Sequence, residues 1–140
     1  MRFFLHCAKT LSLALVILLY SVPNGYSQAS QIPEYEKLLE QSIQAKDNGK
    51  ASFYSYEIAK QYVSTNQLDK ANQYLNQCLT YGKKANDVML MYLASRQLAM
   101  NAVSKNDYSN ALENFQKAQK LAEELKRTDF IMESLVQGCL

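Results

Sequence analysis

Residues 66–125 of this chain read NQLDKANQYLNQCLTYGKKANDVMLMYLASRQLAMNAVSKNDYSNALENFQKAQKLAEEL. The stretch contains the same amphipathic helix twice, because Ala71 is matched 40 positions later by Ala111, and Leu75 by Phe115. Steps of three and four residues within each copy place these residues on one helical face. A repeat of this length predicts stacked helical hairpins, none of which can bury its apolar face alone. The other matched pairs are Leu68 and Tyr108, Cys78 and Ala118, Ala59 and Ala99, Val63 and Val103, and Asn66 and Asn106.

The first 27 residues differ in character from the rest of the chain. Arg2 and Lys9 precede the apolar block LSLALVILLY at positions 11–20, which Pro23 and the residues after it interrupt. The block is shorter than the roughly 20 residues that cross a bilayer, which argues against the alternative of a membrane anchor. The order predicts a secretory signal peptide at 1–27, cleaved before Gln28. We therefore expect export to a periplasm or to the outside of a bacterial cell.

The chain after the predicted cleavage site offers little chemistry. Residues 28–140 hold 13 basic and 13 acidic side chains, so no net positive field attracts a nucleic acid. The single histidine, His6, belongs to the predicted signal peptide, which leaves Cys78 and Cys139. Two cysteines cannot supply the four ligands of a structural zinc site. With no phosphate-binding glycine loop or serine–histidine pair either, we expect no catalytic residue, no metal and no cofactor.

Apolar periodicity divides the exported part, residues 28–140, into repeating units of two helices. A last helix is expected to begin at Thr128 or Asp129, and its hairpin partner is missing before Leu140. An apolar helix without a partner predicts that the chain is a fragment of a longer repeat protein, or that this helix packs against another chain. The predicted units are a half repeat at 32–48, repeats at 50–86 and 87–127, and the start of a further repeat at 128–140.

Four residues are predicted to mark the ends of helices. Gly49 can adopt the left-handed conformation that closes the first helix. Asn66, Asp87 and Asn106 stand where an N-cap side chain would accept a backbone N–H of the next helix. These positions predict helices from about Lys50 to the residue before Asn66, and then to about residues 85, 104 and 126.

The small and aromatic positions of these units resemble the tetratricopeptide repeat. The segment NDYSNA at 106–111 is close to the turn signature of that family. The period of 40 exceeds the family's usual length of about 34, and the aromatic near the start of the unit and the proline at its end are missing. The resemblance implies an all-α superhelix, or solenoid, of antiparallel helical hairpins. The residues it assigns to packing between helices are Ala59, Ala71, Leu75, Cys78, Ala99, Ala111, Phe115 and Ala118.

The resemblance also implies a binding groove, since the first helices of successive tetratricopeptide units line a concave surface. A protein or peptide would be the partner, although the lysine and asparagine clamp for a C-terminal carboxylate is not reproduced. The alternative is that the same residues only pack against neighbouring helices. The groove positions in this chain would be Phe53, Tyr56, Lys60, Val63, Leu93, Arg96, Met100 and Val103.

Three functions follow from this sequence as hypotheses. The first is an exported protein–protein interaction module, the N-terminal part of a larger envelope sensor or regulator that meets the membrane only through a downstream segment. The second is a structural module that self-associates through its C-terminal apolar helix. The third is an enzyme fragment whose catalytic domain is missing, and it would require catalytic motifs beyond Leu140.

Overall fold

The computed structural model describes residues 30–138, with side chains described up to Thr128. This part of the chain is all-helical and contains no strand. Each helix packs against the next one in sequence, and the second and fourth helices also approach each other. The helices are α1 (Ile32–Gln44), α2 (Asn48–Ser64), α3 (Leu68–Ala85), α4 (Val88–Ser104) and α5 (Tyr108–Gly138).

The first four helices end in the same turn, which recurs every 20 residues. Lys46, Asn66, Asn86 and Asn106 each have a positive φ of 54–58°. At each turn the next N–H donates to the carbonyl five residues back, as Asp87 does to Gly82 at 2.9 Å. This pair of features is the Schellman motif, which satisfies carbonyls that a helix end leaves free. Asparagine suits three of the four sites because it tolerates the left-handed region better than most residues.

The residue after each left-handed position serves as the N-cap of the next helix. Asp87 accepts the N–H of Leu90 at 2.9 Å, so its predicted capping role is confirmed. Asp47 and Asp107 cap their helices in the same way, whereas Gln67 makes no side-chain cap.

Three predicted helix ends are wrong. Asn66 and Asn106 end the preceding helices in the left-handed conformation and do not cap the following ones. Gly49 lies inside the first turn of α2 without a positive φ, and Lys46 takes the left-handed position instead. The reason is the position of Asp47, whose carboxylate caps α2 and so fixes the helix start at Asn48. The first helix is accordingly shorter than the predicted span of 32–48.

The predicted break between Lys126 and Thr128 is also wrong, because α5 continues without interruption from Tyr108 to Gly138. Each of the four turns keeps an asparagine at the left-handed position, an aspartate at the cap, or both. The corresponding residues here are Lys126 and Arg127, which provide neither feature and favour a helix. The two helices that the 40-residue pattern predicts are therefore joined into one.

The core consists of small residues at the helix contacts and a few larger ones between them. One cluster joins α2, α3 and α4 through Ala59, Leu75, Cys78, Ala94 and Leu98. A second joins α1 and α2 through Leu39, Ala51 and Ile58, with tyrosines packed around it. Small side chains let the helix axes approach, and Leu75 and Ile58 fill the remaining space. This core holds α2 and α4 against each other across α3.

Candidate binding surface on α2 and α4

Helix α4 is covered on most of its circumference and exposes one stripe to solvent. The stripe contains Met89, Arg96, Met100 and Val103, which lie within about 60° of one another around a helix with 100° per residue. On α2 the exposed positions include Phe53 and Lys60, the second of which matches Met100 in the 40-residue pattern. Since α2 and α4 lie side by side, we treat these two stripes as one candidate binding surface, called the α2–α4 face.

The centre of the α2–α4 face combines an aromatic ring with two cations. Tyr56 is half-buried against the core, and the ammonium group of Lys60 lies 5.8 Å from the centre of its ring. Burial raises the pKa of the Tyr56 hydroxyl, and the positive charges of Lys60 and Arg96 oppose that rise. Lys60 also pairs with Glu57 at 2.9 Å, which raises the pKa of its ammonium group. Arg96 is also exposed to solvent and lies near enough to Tyr56 for its charge to lower the pKa of the Tyr56 hydroxyl.

One end of the α2–α4 face opens into a cleft of about 480 Å³. The structure brings three predicted groove residues, Val63, Met100 and Val103, together in its wall. Met100 remains 45% exposed although it lines the cleft, and the cleft also receives the half-exposed ring of Phe115 from α5. Apolar side chains make up about half of the lining of the cleft, and the others are the polar residues Asn66, Gln97, Asn101 and Ser104.

The remaining predicted groove residues lie apart from this cleft. Phe53 is 45% exposed and packs edge-on against Tyr54 with ring centres 5.4 Å apart. Tyr54 in turn lies 6.1 Å from Tyr35 of α1, so Phe53 belongs to the end of the face near α1. Leu93 is half-buried in α4.

Seven of the eight residues assigned to helix packing are buried, and Phe115 is exposed. Phe115 is 44% exposed, whereas its repeat counterpart Leu75 is fully buried under α4. The helix that would take the place of α4 over Phe115 is the segment after residue 127, which here extends α5. The buried residues are Ala59, Ala71, Leu75, Cys78, Ala99, Ala111 and Ala118.

Buried polar groups accompany this packing without forming a reactive site. Ser52 donates a hydrogen bond to the carbonyl of Cys78 at 3.0 Å and lies 3.4 Å from its Sγ. Burial raises the pKa of the Cys78 thiol to about 11, so the thiol is neutral near pH 7 and a weak nucleophile. Asn101 is buried between α3 and α4 and donates to the side-chain oxygen of Asn72 at 2.7 Å.

Sequence reasoning missed two features of the surface. Met89 extends the stripe of α4 by two turns, and its position seven residues before Arg96 on the same helical face is the signal that could have shown it. The second is a cleft of about 650 Å³ between α1 and α3, where Tyr74 donates a hydrogen bond to Glu36 at 2.8 Å. Burial, together with this bond to Glu36, raises the pKa of Tyr74 to about 12. No periodic signal marks this second cleft, because it depends on how α1 sits on α3.

Comparison with known proteins gives no relative for this chain: no family model, curated protein or solved structure matches it. Within residues 30–138, no helix is both long and apolar enough to span a membrane. The same part of the chain has no cluster of three or more histidine, cysteine or acidic side chains arranged to hold a metal ion. The predicted signal peptide at 1–27, with His6, and the cysteine at 139 lie outside the described residues.

Proposed function

We propose that this chain is a tetratricopeptide-like interaction module that binds an extended segment of another protein on the α2–α4 face. The proposal rests on one observation: α2 and α4 expose residues at corresponding positions of the 40-residue pattern. The first helices of the two units approach each other, and their exposed residues stand at corresponding positions, such as Lys60 and Met100. In a stack of helical hairpins, this side is the one along which a partner segment can contact several units at once.

The chemistry of the face indicates what kind of segment would bind. Met100 and Val103 offer apolar side chains in the cleft, and methionine adapts its shape to different partner side chains. Arg96 lies near enough to Tyr56 to influence its pKa and offers a planar cation for a carboxylate. Residues of these types often carry much of the binding energy of an interface. We therefore propose a partner segment with one or two apolar side chains followed by an acidic residue.

Several parts of the proposal rest on the sequence alone. Export depends on the predicted signal peptide, and membership in a larger sensor or regulator depends on the resemblance to tetratricopeptide repeats. The absence of catalytic activity is proposed from the composition of residues 28–140. None of these parts is needed for the binding surface itself.

Selection from a phage-displayed library of random peptides would test the binding face. The expected outcome is a set of peptides whose affinity falls at least tenfold for Arg96→Glu and for Met100→Asp, as about 1.4 kcal/mol corresponds to a factor of ten. The matched control is Lys83→Glu, which makes the same charge reversal at an exposed position of α3. Peptides that bind equally well to wild type and both face variants would disprove the proposed surface, as would a selection without any enriched binder.

A further inference from the structure

The exposed ring of Phe115 belongs to an apolar face of α5 that repeats a covered face of α3. On α3, Leu75 and Cys78 are fully buried beneath Ala94 and Leu98 of α4. On α5, Ala118 at the position of Cys78 is buried, whereas Phe115 at the position of Leu75 is 44% exposed and Leu112, one turn before it, is 60% exposed. Leu121 and Leu125 are half-buried further along the same helix. The repeat therefore indicates a missing covering helix over α5, in the place that α4 takes over α3.

The sequence of the covering helix is identified by the same 40-residue spacing. Residues 128–138 follow α5 at the distance at which residues 88–98 follow α3. Phe130 and Ile131 stand at the positions of Leu90 and Met91, and Ser134 keeps a small residue at the position of Ala94. Gly138 stands at the position of Leu98, where the residue to be covered is the larger Phe115 in place of Leu75. The segment thus keeps two large apolar residues and one small residue at corresponding positions and has its smallest residue opposite the larger ring.

The same chain cannot place this segment there while α5 remains continuous. A helix rises 1.5 Å per residue, so residues 128–138 lie roughly 20–35 Å along the axis from Phe115. Folding back would need a turn at 126–127, and these positions hold lysine and arginine where the other turns hold asparagine, aspartate or both.

We propose that two copies of this chain exchange residues 128–138, so that this segment of each copy covers the α5 face of the other. The two α5 helices would run antiparallel, because α4 runs antiparallel to α3 in the contact that they reproduce. In that contact residue 82 faces residue 91, so residue 122 of one copy would face residue 131 of the other. The two-fold axis would therefore pass near residue 126, where α5 is helical and the corresponding positions earlier in the chain form a turn. Such reciprocal exchange buries the same patch on both copies and closes the assembly as a dimer. This proposal does not depend on peptide binding at the α2–α4 face, although the exchanged segment would cover Phe115 at the edge of the cleft on that face.

A disulfide can distinguish the exchanged dimer from a monomer with a continuous α5 and from a monomer in which residues 128–138 fold back over α5. A Cβ placed on Gly82 would lie 2.9 Å from Cγ of Met91, so positions 82 and 91 are in contact. Their counterparts are Ala122 and Ile131, which are nine residues apart on one continuous helix and so about 13 Å from each other, too far for a disulfide. The full chain carrying Ala122→Cys and Ile131→Cys, with Cys7→Ser and Cys139→Ala, should therefore form a disulfide only between copies.

The expected result is a dimer band on a non-reducing gel and twice the chain mass in sedimentation equilibrium of the wild-type chain. The single variant Ala122→Cys is the matched control and should not crosslink. A disulfide within one chain, or no disulfide with a monomeric wild type, would overturn the exchange.

Restoring the turn provides a second, independent variant. Lys126→Asn with Arg127→Asp places the Asn–Asp pair of the α3–α4 and α4–α5 turns at the hinge. This variant should be monomeric, and in the double-cysteine background its disulfide should form within the chain. If it stays dimeric with an intermolecular disulfide, the dimer does not arise by exchange at this hinge. The face variant Arg96→Glu should leave the mass of the wild-type assembly unchanged, which separates this proposal from the proposed peptide binding.

Discussion

Two lysines at equivalent repeat positions provide the sharpest test of the fold. Lys46 ends α1 with a φ of 57°, whereas Lys126 lies 80 positions later inside the continuous helix α5. A side chain in the left-handed region costs roughly 1–2 kcal/mol, and glycine avoids this cost. Glycine also makes the unfolded chain more flexible, which lowers the stability by about 0.5–1 kcal/mol. We therefore expect Lys46→Gly to stabilise the protein by about 0.5–1 kcal/mol.

The same substitution at Lys126 should have the opposite sign. Glycine in the interior of a helix is less stable than a good helix former by about 0.5–1 kcal/mol. Urea unfolding followed by circular dichroism at 222 nm would measure both changes. In thermal scans, the two variants should move Tm in opposite directions by about 2–6 °C for a domain of this size.

The control is Lys46→Ala, which removes the same charge and side chain but keeps the left-handed penalty. It should change the stability by less than about 0.5 kcal/mol, as surface substitutions usually do. If Lys126→Gly stabilised the protein as Lys46→Gly does, residue 126 would occupy a turn, and the continuity of α5 would be refuted. If Lys46→Gly were destabilising, the shared Schellman turn would be the wrong description of the end of α1.

Two further predictions concern the core. Leu75→Ala should destabilise the protein by about 3–5 kcal/mol in urea unfolding, because Leu75 is fully buried between α2 and α4. The control Met89→Ala, at an exposed site of α4, should cost less than half as much. Stability should also fall above pH 9, because the unfolded thiol of Cys78 ionises near its ordinary pKa of 9.0 while the buried thiol ionises only near 11. Between pH 8 and pH 10 this difference in pKa lowers the free energy of unfolding by about 1 kcal/mol. Wild type should therefore lose about 1 kcal/mol more stability than Cys78→Ala over this range. Equal losses in the two proteins would contradict the raised pKa of Cys78.

Helix positions could be predicted from the sequence because the apolar pattern is a local property. Helix α4 starts at Val88, directly after the predicted cap Asp87, and ends at Ser104, where the sequence predicted its end. It is also the helix whose cap, Asp87, was identified correctly. Here the cap residue and the start of the apolar run point to the same boundary, which leaves little freedom for the helix start.

The turns were less predictable because the same residue types serve two purposes. Asparagine favours both the N-cap and the left-handed C-terminal position, so the asparagine alone does not show which of the two it takes. In the pair Asn106–Asp107, the aspartate takes the cap and the asparagine takes the left-handed position. The prediction for Gly49 was wrong because glycine can adopt a positive φ but is not obliged to do so.

The candidate binding surface could be predicted only in part, since exposure depends on what lies over each helix. The 40-residue pattern places Leu75 and Phe115 at equivalent positions, yet one is fully buried and the other is 44% exposed. A helical repeat fixes which residues face a neighbouring unit, but it does not determine whether that unit comes from the same chain. The pair at 126–127 makes that difference, because without a turn there the segment expected to cover Phe115 is carried away along α5. We therefore expect the two residues at 126–127 to decide whether the face around Phe115 is covered within the chain or is available to a second molecule.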